Sequence, residues 1–318
     1  MITTFNKLHY LKEVMRLLLL NKKEDEEIVI ADGGSTDGTI EFLQDLYKYG
    51  KVDQFISEKD KGEAHGFNKT FLLARGELIK IITDDDVYNY IAIAEMKKYM
   101  LENPTVEVMT GNVISVNITQ SPTYFEFRKS YQVWFQQWVA GNINSTFFSC
   151  LPLMLRKDCI PLIGLFDTSY KHVDFEFSVR VTAFKRNVTF YTGIVAIGLV
   201  NEKSVSASPE AGRSLEIAKK RLSGNYQFVD QRDVRHEKVP WFRKIVLKKF
   251  NLLNKAANKF NLFQTKTEFY PYIDEKIKED VFLPTNSTAG IFNYFENSSL
   301  LNLAVDKNDK IFIQKCVS

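Results

Sequence analysis

The stretch Ile28–Gly38, IVIADGGSTDG, decides how the rest of the chain is read. Four apolar residues run into an aspartate, two glycines and a second aspartate. The apolar run reads as a buried strand, and the glycines as a turn into a helix with Thr36 or Asp37 as its N-cap. Such a turn does not call for Asp32. A carboxylate at the carboxyl end of a central strand can accept hydrogen bonds from a ligand's ring N–H or ribose hydroxyls, while the following helix N-terminus favours anions. Neither GxGxxG nor GxxxxGK[ST] occurs here, so this is neither a dinucleotide fingerprint nor a P-loop.

Working outward, MITTF reads as a strand cut short at its beginning, followed by Asn6 as an N-cap and by Leu8, Leu11, Val14, Met15 and Leu18 at helical spacing. Ile40, Leu43 and Tyr47 mark a second helix, and VDQFIS a further strand. Glu63–Ala74 is helical again, with Gly76 as its stop before the strand LIKII. A helix from Tyr90 to Leu101, the strand VEVMTGNV, the aromatic stretch YQVWFQQWVAGN and the closing strand VTFYTGIVAIGLV come next. This alternation predicts an α/β, Rossmann-like, mostly parallel sheet flanked by helices, with ligands beyond the carboxyl ends of its strands.

Asp84, Asp85 and Asp86 fall at such an end, after LIKII. Three successive carboxylates repel one another, so bringing them together calls for a cation or for raised pKa values. Mg²⁺ or Mn²⁺, with one or two protein carboxylates and substrate phosphate oxygens as ligands, meets that need. The alternative is an acidic surface turn. A third acidic group, Asp167, Asp174 and Glu176, lies around a helix carrying Phe177, Val181 and Phe184.

The totals exclude more than they assign. The chain has 318 residues, 45% hydrophobic and 25% charged, enough for a sizeable core with an ordinary surface. A net charge of +3 is too mild to argue for nucleic acid. Cys150, Cys159 and Cys316 lack CxxC spacing, which argues against zinc and against a disulfide framework and fits a reducing, cytosolic compartment. No apolar run reaches the roughly 18 residues of a spanning helix, and the first residues do not read as a signal peptide.

Four segments in this order and spacing, TTFNKLHYLKEVMRLLL, IVIADGGSTDGTIEFL, SEKDKGEAHGFNKTFLLARGELIKIITDDD and GLFDTSYKHVDFEFSVRV, resemble the family 2 glycosyltransferases of the GT-A fold over about residues 1 to 200. The resemblance implies an inverting transfer from a nucleotide-diphospho-sugar to a hydroxyl of a glycan or lipid-linked acceptor, in bacterial cell-surface polysaccharide synthesis. It places Thr4, Phe5, Asn6 and Asp32 around the base and ribose, with Asp37 and the KGEAHGFNK region, including Gly62, Asn68 and Lys69, bordering the nucleotide. Asp84–Asp86 match the DXD-like motif that holds Mn²⁺ or Mg²⁺ against the diphosphate, with Asp86 as the direct ligand. Asp174 matches the general base. Val173 stands where the family commonly has glutamate, and the first strand is shorter than in most members, so either the strand is short or the start is late.

The chemistry agrees with these residue types. Displacing a nucleoside diphosphate builds negative charge that a cation stabilises, and a carboxylate opposite can take the acceptor's proton. Asp174 also reads as an acid favoured by a helix N-terminus. His65 and His172 read as solvated or as assisting; Lys69 and Arg75 as meeting the diphosphate, Arg75 also as serving a helix end. Trp134 and Trp138 read as core before sugar-stacking. Two rival functions are a sugar-1-phosphate nucleotidyltransferase, whose GxGTR-like loop is missing, and an inactive nucleotide-binding module.

The expected organisation is a catalytic domain over residues 1–225 and a helical C-terminal extension over 226–318. Within the extension, Arg235–Lys259 is basic and amphipathic, either a helix packed on the domain or a peripheral contact with the inner face of the plasma membrane.

Overall fold

The computed structural model describes residues 1–119, 123–128, 130–204, 211–228, 276–281, 287–302 and 312–314. The basic segment 235–259 lies outside the described residues. Two compact units are present, Met1–Phe228 with Glu275–Ser318, and Val229–Asp274. All the described residues belong to the first unit.

Strands β1 (Ile2–Thr4), β2 (Val29–Asp32) and β3 (Gln54–Ser57) form a parallel sheet with β2 in the centre, in a register that aligns Thr4, Asp32 and Ser57 at the carboxyl edge. Every residue of β2 is buried, as expected of a strand covered on both faces. Helices α1 (Leu8–Asn21) and α2 (Thr39–Lys48) connect these strands, and α3 (Glu63–Leu73) leads on from β3. Ile28 and Ile30 pack into one core with Leu11, Met15 and Leu43, while Val29 packs into another with Phe67 and Phe71. That alternation is the strand period sending neighbouring side chains to opposite faces.

A parallel bridge from Ile2 to Ile82 carries β1 to the second sheet. There β4 (Leu78–Lys80) pairs with β8 (Met154–Arg156), β8 with β6 (Val108–Asn117), and β6 with β9 (Val188–Val200), the last pair parallel and the others antiparallel. Two-residue β5 (Val87–Tyr88) lies antiparallel to β9. Strand β7 (Thr123–Arg128) folds back on β6. The α/β class is therefore as expected. The sheet is mixed, because β8 runs antiparallel to both β4 and β6, and β5 and β7 add further antiparallel pairs to β9 and β6.

Helix α4 (Tyr90–Glu102) begins at Asn89, whose side chain accepts from Ala92 N at 3.2 Å. Helix α5 (Ser130–Val139) places Trp138 in the core, where its Nε1 donates to Thr182 O at 3.1 Å, and Trp134 is buried beside it. The core reading of both tryptophans holds. After the short α6 (Ile160–Ile163), α7 (Val173–Ala183) packs against α8 (Ala211–Tyr226).

Residues beyond 275 return to the first unit. Strand β10 (Lys276–Val281) pairs with β7, and β11 (Phe312–Gln314) pairs with β9, where Phe312 stacks on Tyr99 at 3.9 Å between centroids. Helix α9 (Thr288–Glu296) buries Ile291, Phe292 and Phe295 in the core of α1 and β2. At about 1.5–3 kcal/mol for each large apolar side chain, that burial ties the helix to the unit. A cavity of about 660 Å³ opens at the amino ends of β1 and β2, away from the aspartates, lined by Ile2, Val29, Leu78 and Tyr90 among others.

Candidate functional site

The glycine turn after β2 is built around Asp32. Its carboxylate, fully buried, accepts from Gly34 N and Ser35 N at 3.0 Å, from Ser35 Oγ at 2.5 Å and from Ser57 Oγ at 2.7 Å. Gly34 has φ +85°, a left-handed conformation, and a Cβ there would lie 3.3 Å from the Lys59 backbone. The sequence resemblance sets Asp32 against the nucleoside; in the structure its carboxylate is buried with four internal donors and organises the loop.

Asn6 also departs from the sequence reading. It has φ +52° and lies outside α1, whose N-cap is Lys7. Its Oδ1 accepts from Thr36 N at 2.8 Å, and its own N–H donates to Ser35 Oγ at 2.8 Å. The cap on α1 comes from Asp37, whose Oδ2 accepts from Leu8 N at 3.0 Å while Oδ1 accepts from Thr39 Oγ1 at 2.6 Å. One carboxylate thus ties the starts of α1 and α2. Phe5 stands exposed beside this corner, and the Thr4 hydroxyl lies beneath it against Asp84.

The three aspartates are 6–7% exposed; the first two share one partner and the third has its own. Lys7 Nζ lies 3.2 Å from Asp84 Oδ1 and 2.6 Å from Asp85 Oδ2. Asn201 Nδ2 donates to Asp85 Oδ2 at 2.8 Å. Asp86 Oδ1 accepts from Leu199 N at 2.7 Å and Oδ2 from Thr83 Oγ1 at 2.5 Å. Asp86 is the metal ligand that the resemblance implies. Both its oxygens are engaged within the protein, and it is Asp84 and Asp85 that converge on a cation, the Lys7 ammonium.

Burial, and after it the charge of Asp85, pushes Asp86 up to about 8. Burial likewise raises Asp84 to about 6, against the pull of Lys7. Burial disfavours the Lys7 ammonium, but Asp84 and Asp85 outweigh it and raise its pKa.

Glu63, in the first turn of α3, joins this cluster to Asp174. Burial first, and then the Asp174 charge, pushes it up to about 8, and it also feels Lys7, Asp84 and Asp85. Asp174 sits in the first turn of α7. Burial raises it, opposed by the His172 charge and by the backbone N–H groups of Phe175, Asp174 itself and Cys150.

Other expected site residues are occupied elsewhere. Asn68 bonds the Phe166 backbone through both ends of its amide, Nδ2 to O at 2.8 Å and Oδ1 from N at 2.9 Å, holding α3 to the loop before α7. Lys69 pairs with Glu58 at 3.2 Å, Arg75 with Glu27 at 3.0 Å, and Glu176 with Arg180 at 2.6 Å. Gly62, at φ +113°, precedes α3 and donates to Asp60 Oδ1 at 2.9 Å. His172 Nε2 meets Ser214 Oγ at 2.9 Å, and His65 Nδ1 accepts from Lys61 N. Cys150 and Cys159 are buried free thiols. Sequence reasoning misses Lys7, Leu199 and Asn201 and touches Glu63 only as part of the KGEAHGFNK region; the aspartate run signals a missing cation, but nothing local points to Lys7.

Among the described residues no three His, Cys, Asp or Glu side chains form a metal-holding group, and no helix is long and apolar enough to cross a membrane.

Comparison with known proteins adds the family. The chain is 27% identical over 112 residues to TuaG of Bacillus subtilis, named for teichuronic acid biosynthesis, covering 34% of this chain and 43% of that protein. It is 34% identical over 85 residues to chondroitin synthase of Escherichia coli, covering 27% and 12%. The chain thus spans less than half the length of these relatives. Among solved structures, a Pyrobaculum calidifontis mannosyltransferase in complex with GDP-Man and Mn²⁺ shares 18% identity at a TM-score of 0.48, over 65% of this chain and 57% of that one. S. aureus TarS 1–349 in complex with UDP-GlcNAc shares 14% at 0.48, over 72% and 66%. The profile of Glycosyl transferase family 2 matches residues 1–160, half of the chain and the part that holds Lys7, Asp32, Glu63 and Asp84–Asp86, and the chain belongs to that family.

Proposed function

We propose that the protein transfers a sugar, with inversion, from a nucleotide-diphospho-sugar to a hydroxyl of a glycan or lipid-linked acceptor in cell-surface polysaccharide synthesis. The observation that carries this is the convergence of Asp84 and Asp85 on one positive charge, with Glu63 coupling that cluster to Asp174. The names of the two relatives support polysaccharide synthesis as the setting.

The donor set fits a hard divalent cation: two oxygen ligands at a strand end already hold a cation between them. Asp84 and Asp85 would hold Mn²⁺ or Mg²⁺, with Asp86 fixing the strand end behind them. When bound, the metal would stabilise charge on the departing diphosphate. The loop organised by Asp32, with Thr4, Phe5, Asn6 and Asp37 at its rim, would receive the nucleoside. Asp174 would take the acceptor hydroxyl's proton, and its raised pKa makes it a stronger base than an exposed aspartate.

The test is thermal stabilisation of the purified protein by UDP-, GDP-, CDP- and dTDP-sugars, with Mn²⁺ and then with EDTA, since a ligand bound to the native state raises Tm. A metal-dependent rise with one nucleotide class, together with nucleoside diphosphate release, is expected. No shift with any donor sinks the reading; binding without turnover leaves an inactive module, and consumption of a nucleoside triphosphate indicates a nucleotidyltransferase.

A further inference from the structure

The Lys7 ammonium is placed where a second cation cannot share its partners. It lies 2.6 Å from Asp85 Oδ2 and 3.2 Å from Asp84 Oδ1. Its side chain is 17% exposed and those of the two aspartates 8% and 9%, so little water screens the group. A divalent ion bound to the same oxygens at its usual distance of about 2.0–2.2 Å would lie within a few ångströms of the ammonium, where two positive charges repel strongly.

The anchoring is one-sided. Lys7 is the N-cap of α1, fixed at its backbone by the Lys7 carbonyl accepting from Leu11 N at 2.9 Å. Its flexible four-carbon stem leaves the charge free to swing out. Asp85 has no such freedom, since it also accepts from Asn201 and its neighbour Asp86 is bound to β9 through Leu199.

We infer that Lys7 is a resident counter-ion of the aspartate cluster, which a divalent metal must displace in order to bind, so that Lys7 sets the metal concentration at which the site loads. This rests on the metal reading proposed above. It has two consequences. Metal alone binds weakly, because it must evict a paired ammonium. A donor diphosphate raises metal affinity by supplying oxygens to the metal and an anionic partner to the freed lysine.

The experiment is a titration of Mn²⁺ alone into wild type, Lys7→Met and Lys7→Arg, following free Mn²⁺ by electron paramagnetic resonance. Lys7→Met is expected to bind Mn²⁺ about tenfold or more tightly than wild type, and Lys7→Arg, which keeps the charge, to stay near wild type. Should Lys7→Met fail to fold without metal, Lys7→Gln serves in its place, with circular dichroism confirming its fold. Wild-type binding of Mn²⁺ with no gain in either neutral variant overturns the inference and leaves the metal reading standing. No Mn²⁺ binding by any variant, with or without UDP or GDP, overturns both.

Discussion

The backbone N–H of Leu199 donates to Asp86 Oδ1 at 2.7 Å, joining positions 113 apart in sequence. With Thr83 on the other oxygen, Asp86 closes the junction between the segment after the Ile82 bridge and the end of β9. The last aspartate of the run is therefore an anchor for the first two.

Asp86→Ala leaves the Leu199 N–H without its acceptor in a buried place, while the Thr83 hydroxyl keeps the Tyr88 hydroxyl at 2.7 Å. The expected cost is about 1–3 kcal/mol, the penalty for one buried polar group left unpaired. A thermal melt without metal checks it. Asp86→Asn, which keeps an acceptor, should lose less, and an unchanged Tm for the alanine variant would remove the anchoring role.

Asp174→Asn should retain nucleotide binding while turnover falls by about a hundredfold or more, the size of effect expected on removing a general base. Steady-state kinetics with the donor identified by the stabilisation screen measures both. Wild-type turnover would remove Asp174 as the base.

Glu63 predicts a pH dependence of stability. Its folded value, about 8, lies above its ordinary 4.5, so between these values the native state holds a proton that the unfolded chain has released. Its contribution is fully present below about 4.5 and is lost as pH rises through about 8. Glu63→Gln should flatten the fall in Tm between those limits and be more stable than wild type at the upper one. Parallel melting curves across that range would refute this.

Gly66 sits where α3 crosses β1, and a Cβ there would lie 1.9 Å from Thr3 Oγ1 and 2.8 Å from Thr3 Cβ. Gly66→Ala should cost about 1–3 kcal/mol through overpacking, and adding Thr3→Ala should recover part by removing the closer contact. Additive losses in the double mutant, measured by denaturant unfolding, would show that the two positions do not clash.

The segment 235–259 is proposed as a membrane-surface contact on sequence grounds. Replacing Lys244, Lys248 and Lys249 with glutamate should weaken co-sedimentation with anionic vesicles at least about a hundredfold, at roughly 1 kcal/mol for each lysine removed. Equal sedimentation would favour a helix packed on the protein.

Local signals in the sequence are legible and distant pairings are not. The run ending in Asp32 announces a buried strand and tight turn because apolarity and positive-φ glycines act on neighbours. Asn6 passes for an N-cap because its residue type fits one, yet its amide reaches Thr36, 30 positions away. Lys7 carries no signal, since a lysine after a cap is ordinary until Asp84 and Asp85 arrive from 77 and 78 residues downstream. The antiparallel additions to the sheet are equally hidden, because strand direction depends on connections that residue type does not encode.

The bonds from β9 to the aspartates bear on when the site forms. Contacts of such long sequence separation carry a large loop-closure entropy and slow folding. A growing chain that has been synthesised only to residue 160 holds the whole family match but neither Leu199 nor Asn201. On the ribosome, the acidic pocket is therefore complete only after β9 has emerged, and a nascent chain halted before that point carries the motif without its Leu199 and Asn201 anchors.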